Sequence, residues 1–145
     1  MPGKYLFRGT TEGFMGSPAS RSIPRTSTSR NPAKAAAFAV YCSAFGRPVL
    51  YIALYAKVLP LGEPDMNVLG EIEEEVAFPV PPQEFYNYCE GYLTLMETLE
   101  IFRRLSIGIP AVIHIHNLDD VLEAIQNMDD EQIDTFYEIA KDHLK

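Results

Sequence analysis

The most informative stretch of this sequence is Thr26-Ser-Thr-Ser-Arg-Asn-Pro-Ala-Lys-Ala-Ala-Ala-Phe-Ala39. Proline is tolerated in the first turn of a helix, and a Ser or Asn just before it is a typical N-cap. Ser29 and Asn31 stand at that place, and a run of alanines follows Pro32. The pattern therefore predicts that a helix begins here.

The sequence around this helix is rich in predicted strands. Residues 4–10 combine aromatic and branched side chains, which favours a short strand, and residues 11–25 are rich in Gly, Ser, Pro and Thr, which favours a loop. A dense apolar run predicts a second strand over residues 48–59, followed by a loop over residues 60–69. A third strand is expected over residues 71–80, where prolines end it.

The last third of the chain changes to helical periodicity. Apolar residues recur at helical spacing over residues 90–104, again from Leu118 onward, and again after Asp129 or Asp130. A short strand is expected over residues 111–116. The expected fold class is α+β.

The chain is expected to form a single domain over residues 1–145. A β-rich core would occupy residues 1–88, and the helices of residues 89–145 would complete it. Apolar residues make up 47% of the chain and charged residues 22%, the balance of a globular protein.

Composition also excludes several classes of function. No apolar run reaches the roughly 18 residues of a membrane span, and the amino terminus lacks the apolar segment of a secretory signal peptide. We therefore expect a cytoplasmic protein, or one exported without such a signal. The net charge of −8 argues against binding to nucleic acid, because phosphate contacts depend on Lys and Arg. Cys42 and Cys89 show no metal-ligand spacing and are interpreted as free thiols, although one disulfide between them stays open.

Charge is distributed unevenly along the chain. The first 34 residues contain six bases and one acid, whereas residues 118–145 contain nine acids and two bases. A basic amino-terminal third suits a small ligand that carries phosphate, and the acidic helices suit a basic protein partner. The alternative is that the asymmetry only solvates the surface.

Three short features carry the candidate chemistry: Tyr5-Leu-Phe-Arg-Gly-Thr10, Ser27-Thr-Ser29 and Glu73-Glu-Glu-Val-Ala-Phe-Pro79. Each also has an ordinary interpretation. The arginine can lie on the surface at a sheet end, the serines can cap the helix, and the glutamates can protect an edge strand from aggregation.

In this order and context, the three features resemble the mono-ADP-ribosyltransferases of the Arg/Ser-Thr-Ser/Glu-x-Glu class. That class includes bacterial toxins, phage enzymes and vertebrate arginine-specific ectoenzymes. The resemblance spans about residues 4–82. It implies an ADP-ribosyltransferase-like core that uses NAD as a substrate, modifies an arginine of a protein, and hydrolyses NAD as a side reaction.

The resemblance implies that Glu73 and Glu75 are the catalytic residues. Cleavage of the nicotinamide bond develops an oxocarbenium-like ribosyl cation, as in glycoside cleavage, and the Glu75 carboxylate suits its stabilisation. Alternation along a strand would place Glu73 on the same face, where it would hold or deprotonate the acceptor guanidinium, and Glu74 on the opposite face.

The resemblance further implies that Arg8, Gly9, Ser27, Thr28 and Phe38 bind NAD. A guanidinium offers a planar fork of donors to ribose or pyrophosphate oxygens, and a glycine allows close backbone approach to the nicotinamide amide. Ser27 would orient the catalytic glutamate, with Thr28 beside it. Phe38 would stack on nicotinamide, or alternatively belong to the core.

Two other functions stay open at this point. The chain can be a catalytically inactive interaction module on the same scaffold, with its acidic helices docking a basic protein. An enzyme of this fold that acts on nucleic acid is disfavoured by the charge. His114 and His116 can lie at a sheet edge or bind an ion; because no third ligand is evident, no metal is expected.

Overall fold

A computed structural model of the chain describes residues 4–65, 74–108, 118–125 and 127–145. The described residues form five strands: β1 (Tyr5–Thr11), β2 (Thr26–Ser29), β3 (Pro48–Leu54), β4 (Glu75–Phe78) and β5 (Gly91–Thr94). They also form helices α1 (Glu12–Met15), α2 (Ala19–Ser22), α3 (Pro32–Tyr41), α4 (Tyr55–Val58), α5 (Pro82–Tyr86), α6 (Leu95–Arg104), α7 (Leu118–Ala124) and α8 (Asp130–Ala140). Single 3-10 turns follow α3 and α4.

The strands make one antiparallel sheet in the order β4-β2-β1-β3-β5. The central pair, β1 with β3, is matched along seven residues, from Tyr5 opposite Leu54 to Thr11 opposite Pro48. Helices and an antiparallel sheet in one chain confirm the α+β class.

The two faces of the sheet are covered by different helices. Because side chains alternate along a strand, Phe7 of β1 points to one face and Leu6 to the other. Phe7 belongs to the larger apolar cluster, which also contains buried residues of α3, α6, α7 and α8. Leu6 belongs to a smaller cluster that includes Val58 of α4 and Phe85 of α5. The amphipathic carboxy-terminal helices therefore cover the sheet, as their periodicity predicts.

The helix predicted over residues 90–104 was placed too early. Residues Gly91–Thr94 form the edge strand β5 beside β3, and the helix begins only at Leu95. Gly91 has a φ of +145°, which suits glycine, and Thr94 with Glu97 makes a reciprocal capping box that fixes the helix start. The sheet thus extends beyond residue 88, so it is not confined to the predicted β-rich segment.

Other predicted boundaries differ by a few residues. The strand expected over residues 48–59 stops at Leu54 and continues as α4, and the loop expected over residues 11–25 contains the single-turn helices α1 and α2. The final helix follows its Asp129 N-cap as expected. The strand predicted over residues 111–116 lies outside the described residues. None of the helices within the described ranges is both long and apolar enough to cross a membrane.

Candidate functional site

A cleft opens where β1 and β2 separate. Among the described residues, β1 and β2 pair only at Phe7 opposite Ser29, whereas β2 pairs with β4 along four residues. The space between the diverging strands holds a pocket of about 370 Å³, counting the part open to solvent. Its lining consists of Phe7, Arg8, Gly9, Ser27, Thr28, Ser29, Ala35, Phe38 and Glu75.

Every predicted site residue that lies within the described ranges lines this cleft. These residues are Arg8, Gly9, Ser27, Thr28, Phe38 and Glu75. Glu73 lies outside the described residues. These six residues come from β1, β2, α3 and β4, so the fold places them close together although they are separated in the sequence.

Glu75 is the buried acid of the cleft. It begins β4 and is 4% exposed. Its Oε1 accepts hydrogen bonds from the Ser27 hydroxyl at 2.7 Å and from Arg25 Nη2 at 3.0 Å. Its Oε2 is buried and has no hydrogen-bond partner among the described residues. A buried carboxylate oxygen without a donor is costly, so this atom is prepared to accept a hydrogen bond from a ligand.

Ser27 orients Glu75, as the resemblance implies, and it does not cap the helix. The cap is Asn31, whose side-chain oxygen accepts from the Ala33 amide at 2.9 Å. Ser29 supports that cap because its hydroxyl oxygen accepts a hydrogen bond from the backbone N–H of Asn31. The two serines of the motif therefore have separate roles, one toward the cleft and one toward the helix.

Arg8 spans the mouth of the cleft from β1. Its Nε donates to the Tyr86 hydroxyl at 3.0 Å, and its Nη1 donates to the Ser27 carbonyl oxygen at 2.8 Å. The guanidinium also lies 5.6 Å from the ring centre of Phe14 and 5.9 Å from that of Tyr86. The fork keeps further N–H groups for a ligand.

Gly9 has a packing reason that the sequence interpretation missed. A Cβ atom at this position would stand 1.7 Å from the Ala35 carbonyl oxygen, so the glycine lets α3 lie directly on β1. Phe38 is half-buried. It packs in the core, as one of its two interpretations predicts, and it also lines the cleft; its stacking on nicotinamide stays a prediction.

Thr28 lines the cleft but does not offer its hydroxyl. The side chain is buried, and its Oγ1 donates to the Val76 carbonyl oxygen at 2.6 Å. The residue therefore joins β2 to β4, and any contact with a ligand would use its remaining surface.

Glu74 corrects the prediction from alternation. It precedes β4 with a φ of +50°, outside the regular strand geometry that would place it on the face opposite Glu75. Its Oε2 accepts a hydrogen bond from the side-chain Nδ2 of Asn31 and forms an ion pair with Lys34 Nζ, both at 3.2 Å. Because Lys34 is buried, Glu74 is a structural partner of α3 and not an idle surface acid.

Sequence reasoning missed two residues that hold side chains of the cleft in place, Arg25 on Glu75 and Tyr86 on Arg8. Arg25 comes directly before β2 and two residues before Ser27, so strand alternation continued by one residue was a usable signal that both point to the same side. Tyr86 comes from α5, 78 positions from the arginine that it contacts. No local sequence pattern indicates a contact across that separation.

The two cysteines and the histidines add no second reactive centre to the described structure. Cys42 and Cys89 are both free. Burial raises the pKa of the Cys89 thiol, against the opposing influence of the Arg8 charge, so this thiol is protonated and a poor nucleophile. Within the described ranges no three His, Cys, Asp or Glu side chains gather in a metal-binding cluster. His114 and His116 lie outside the described residues.

Comparisons with family models, curated proteins and solved structures found no match for this chain. The cleft offers a ligand three features: a buried carboxylate with one oxygen that has no partner among the described residues, a guanidinium fork at the mouth, and an aromatic ring on the wall.

Proposed function

We propose that this protein is a mono-ADP-ribosyltransferase, which cleaves NAD and transfers ADP-ribose to an arginine of a protein, with hydrolysis of NAD as a side reaction. One observation carries the proposal. Arg8, Ser27 and Glu75, which are far apart in the sequence, line one cleft in which a buried oxygen of the glutamate has no partner among the described residues. The neighbouring positions of β4, β2 and β1 in the sheet support an ADP-ribosyltransferase-like fold.

Glu75 has the surroundings that the bond cleavage requires. Positive charge develops on the ribose as nicotinamide departs, and a fixed carboxylate stabilises that charge without reorganisation. Ser27 and Arg25 hold one oxygen of this carboxylate, which leaves Oε2 to accept the 2′-hydroxyl of the ribose.

The rest of the cleft suits the remaining parts of NAD. Arg8 is fixed by Tyr86 and by the Ser27 carbonyl, so its other N–H groups meet ribose or pyrophosphate oxygens at little entropic cost. Phe38 offers an aromatic surface to the nicotinamide ring.

The preference for an arginine acceptor has support in the cleft itself. The carboxylate of Glu75 already accepts a hydrogen bond from one guanidinium, that of Arg25. Glu73, to which the resemblance gives the acceptor role, lies outside the described residues, so its part is tested by mutation alone.

The test is release of nicotinamide from NAD, measured together with labelling of agmatine, a free guanidine. We expect the wild type to do both and Glu75→Gln to lower both by orders of magnitude, because a neutral amide does not stabilise the cation. Glu84→Gln is the matched control, since Glu84 is an exposed acid on α5. A wild type that releases no nicotinamide would rule out the transferase.

The interaction module is the second candidate, and one observation favours it. Helices α7 and α8 bury their apolar residues, such as Leu122 and Phe136, in the core, while acids such as Glu123 and Glu131 face solvent. This acidic surface is free to meet a basic partner. If NAD neither binds nor reacts, the interaction module becomes the better account.

A further inference from the structure

Arg25 places a guanidinium of the chain itself on the glutamate of the cleft. Its Nη2 lies 3.0 Å from Glu75 Oε1, and the side chain is 36% exposed, against 3% for Glu75. The pair joins positions 50 residues apart, so it is a tertiary contact fixed by the pairing of β2 with β4. The arginine is thus seated at the reacting carboxylate and still open to solvent.

The two oxygens of Glu75 are occupied differently. Oε1 accepts from Arg25 and Ser27, whereas Oε2 has no partner among the described residues. A ribose hydroxyl on Oε2 and the Arg25 guanidinium on Oε1 would be bound to one carboxylate at the same time. Two reactants held on one carboxylate have the proximity that favours an intramolecular reaction over one between molecules.

We propose that Arg25 is a site of self-modification, the acceptor to which this chain transfers ADP-ribose when no other guanidine is present. The proposal rests on the proposed function, because it needs the same cleavage of NAD at the same carboxylate. It adds a particular acceptor, in the same molecule, that the resemblance does not name.

The reaction balances without any further reactant. The bond between ribose C1′ and the nicotinamide nitrogen breaks, and its electron pair leaves with neutral nicotinamide. A nitrogen electron pair of Arg25 Nη2 forms the new bond to C1′. Nη2 loses one proton as this bond forms, since a guanidinium does not lose a proton beforehand. Glu75 Oε1 accepts that hydrogen bond, so it receives the proton and passes it to water.

The experiment incubates the full chain with NAD and no acceptor, and locates the added mass by peptide mass spectrometry. We expect one ADP-ribose unit, on Arg25. Because donor and acceptor share one molecule, the rate per molecule should not change with protein concentration. Arg21→Lys is the matched control; Arg21 is an exposed arginine four residues upstream, so its loss should leave the label and the release of nicotinamide unchanged.

Arg25→Lys should lose the self-label far more than it loses agmatine labelling, because an ammonium keeps a positive charge near Glu75 but provides no guanidine. Suppose that the wild type releases nicotinamide and labels agmatine. A self-label on another arginine, or a self-labelling rate per molecule that rises with protein concentration, would then overturn the inference but not the proposed transferase activity. A wild type that neither releases nicotinamide nor labels agmatine would overturn both.

Discussion

The carboxy-terminal helices α6, α7 and α8 form a helical cover over one face of the sheet. This helical cover and the cleft differ in how completely their polar groups are hydrogen-bonded. In the cover, α6 and α8 each begin with a reciprocal capping box, made by Thr94 with Glu97 and by Asp129 with Gln132. In the cleft, Glu75 Oε2 is buried and has no hydrogen-bond partner among the described residues. Native proteins rarely leave such an atom unpaired, so it distinguishes the cleft, which we propose is prepared for a ligand, from the capped helices, which are built for stability.

Packing shows the same difference. In the cover, Phe136 meets the ring of Phe7 edge-on at 5.6 Å and stacks on Phe102 at 5.1 Å, and it is fully buried. At the cleft, β1 and β2 share a single matched pair among the described residues. Changes in the cover should therefore reduce the free energy of unfolding, and changes in the cleft should reduce ligand binding.

The largest effect is expected from Phe136→Ala. Loss of this fully buried ring removes apolar contacts and leaves a cavity, at a cost of about 3–5 kcal/mol in the free energy of unfolding. Urea unfolding measures it. The matched control is Phe45→Ala, because that phenylalanine is 77% exposed and should change stability by less than about 0.5 kcal/mol. Equal losses would mean that the helical cover is not the stabilising region.

Glu74→Gln is expected to have an intermediate effect. It removes the charge opposite the buried Lys34 and weakens the link from β4 to α3, so stability should fall by about 1–3 kcal/mol. The comparison is with Glu84→Gln, an exposed acid that should leave unfolding unchanged. If both variants unfold alike, the pair between Glu74 and Lys34 contributes nothing.

Tyr86→Phe sharpens the comparison from the side of the cleft. The variant keeps the ring but loses the acceptor for Arg8 Nε, so NAD should bind about tenfold more weakly, the loss of one hydrogen bond to a charged group. The melting temperature without ligand should hardly move. Tyr88→Phe is the control, since Tyr88 is 42% exposed. Equal affinities for the two variants would remove Tyr86 from the site.

The smallest effect concerns pH. Burial by itself would raise the pKa of Glu97. Hydrogen bonds from Lys145 and Thr94, together with the positive charge of Lys145, outweigh burial and lower this pKa. A carboxyl with a lowered pKa in the folded state stabilises the protein above its unfolded pKa, and that stabilisation disappears as the pH falls through the folded value. Glu97→Gln should remove about 0.5 kcal/mol or less of this acid-sensitive stability, measured by thermal unfolding across pH. Glu123→Gln, which changes an exposed acid on α7, should leave the pH profile unchanged.

Local patterns predicted the parts of this protein that local chemistry determines. The start of α3 follows from Asn31 and Pro32, and the start of α8 from Asp129. The edge strand β5 was missed because Gly91–Thr94 shares apolar spacing with the helix that follows, and only pairing with β3 decides between them. A periodicity does not distinguish a strand from the first turn of a helix over four residues.

The candidate site was predictable in part. The resemblance of the three motifs named Arg8, Ser27 and Glu75 and implied that Ser27 orients Glu75, a contact that the structure contains. The partners that fix them, Arg25 on Glu75 and Tyr86 on Arg8, depend on the register of β2 with β4 and on where α5 folds back. Those are tertiary facts that no sequence window contains.

The central claim is that the cleft binds NAD through Arg8, and titration of NAD against the melting temperature tests it most directly. A ligand that binds only the folded state adds about 2.7 kcal/mol at a hundredfold excess over its dissociation constant. We predict that NAD raises the melting temperature of the wild type, and that Arg8→Lys loses most of this shift while melting normally without ligand, because lysine lacks the planar fork. No shift in the wild type, or an equal shift in Arg8→Lys, would contradict the account.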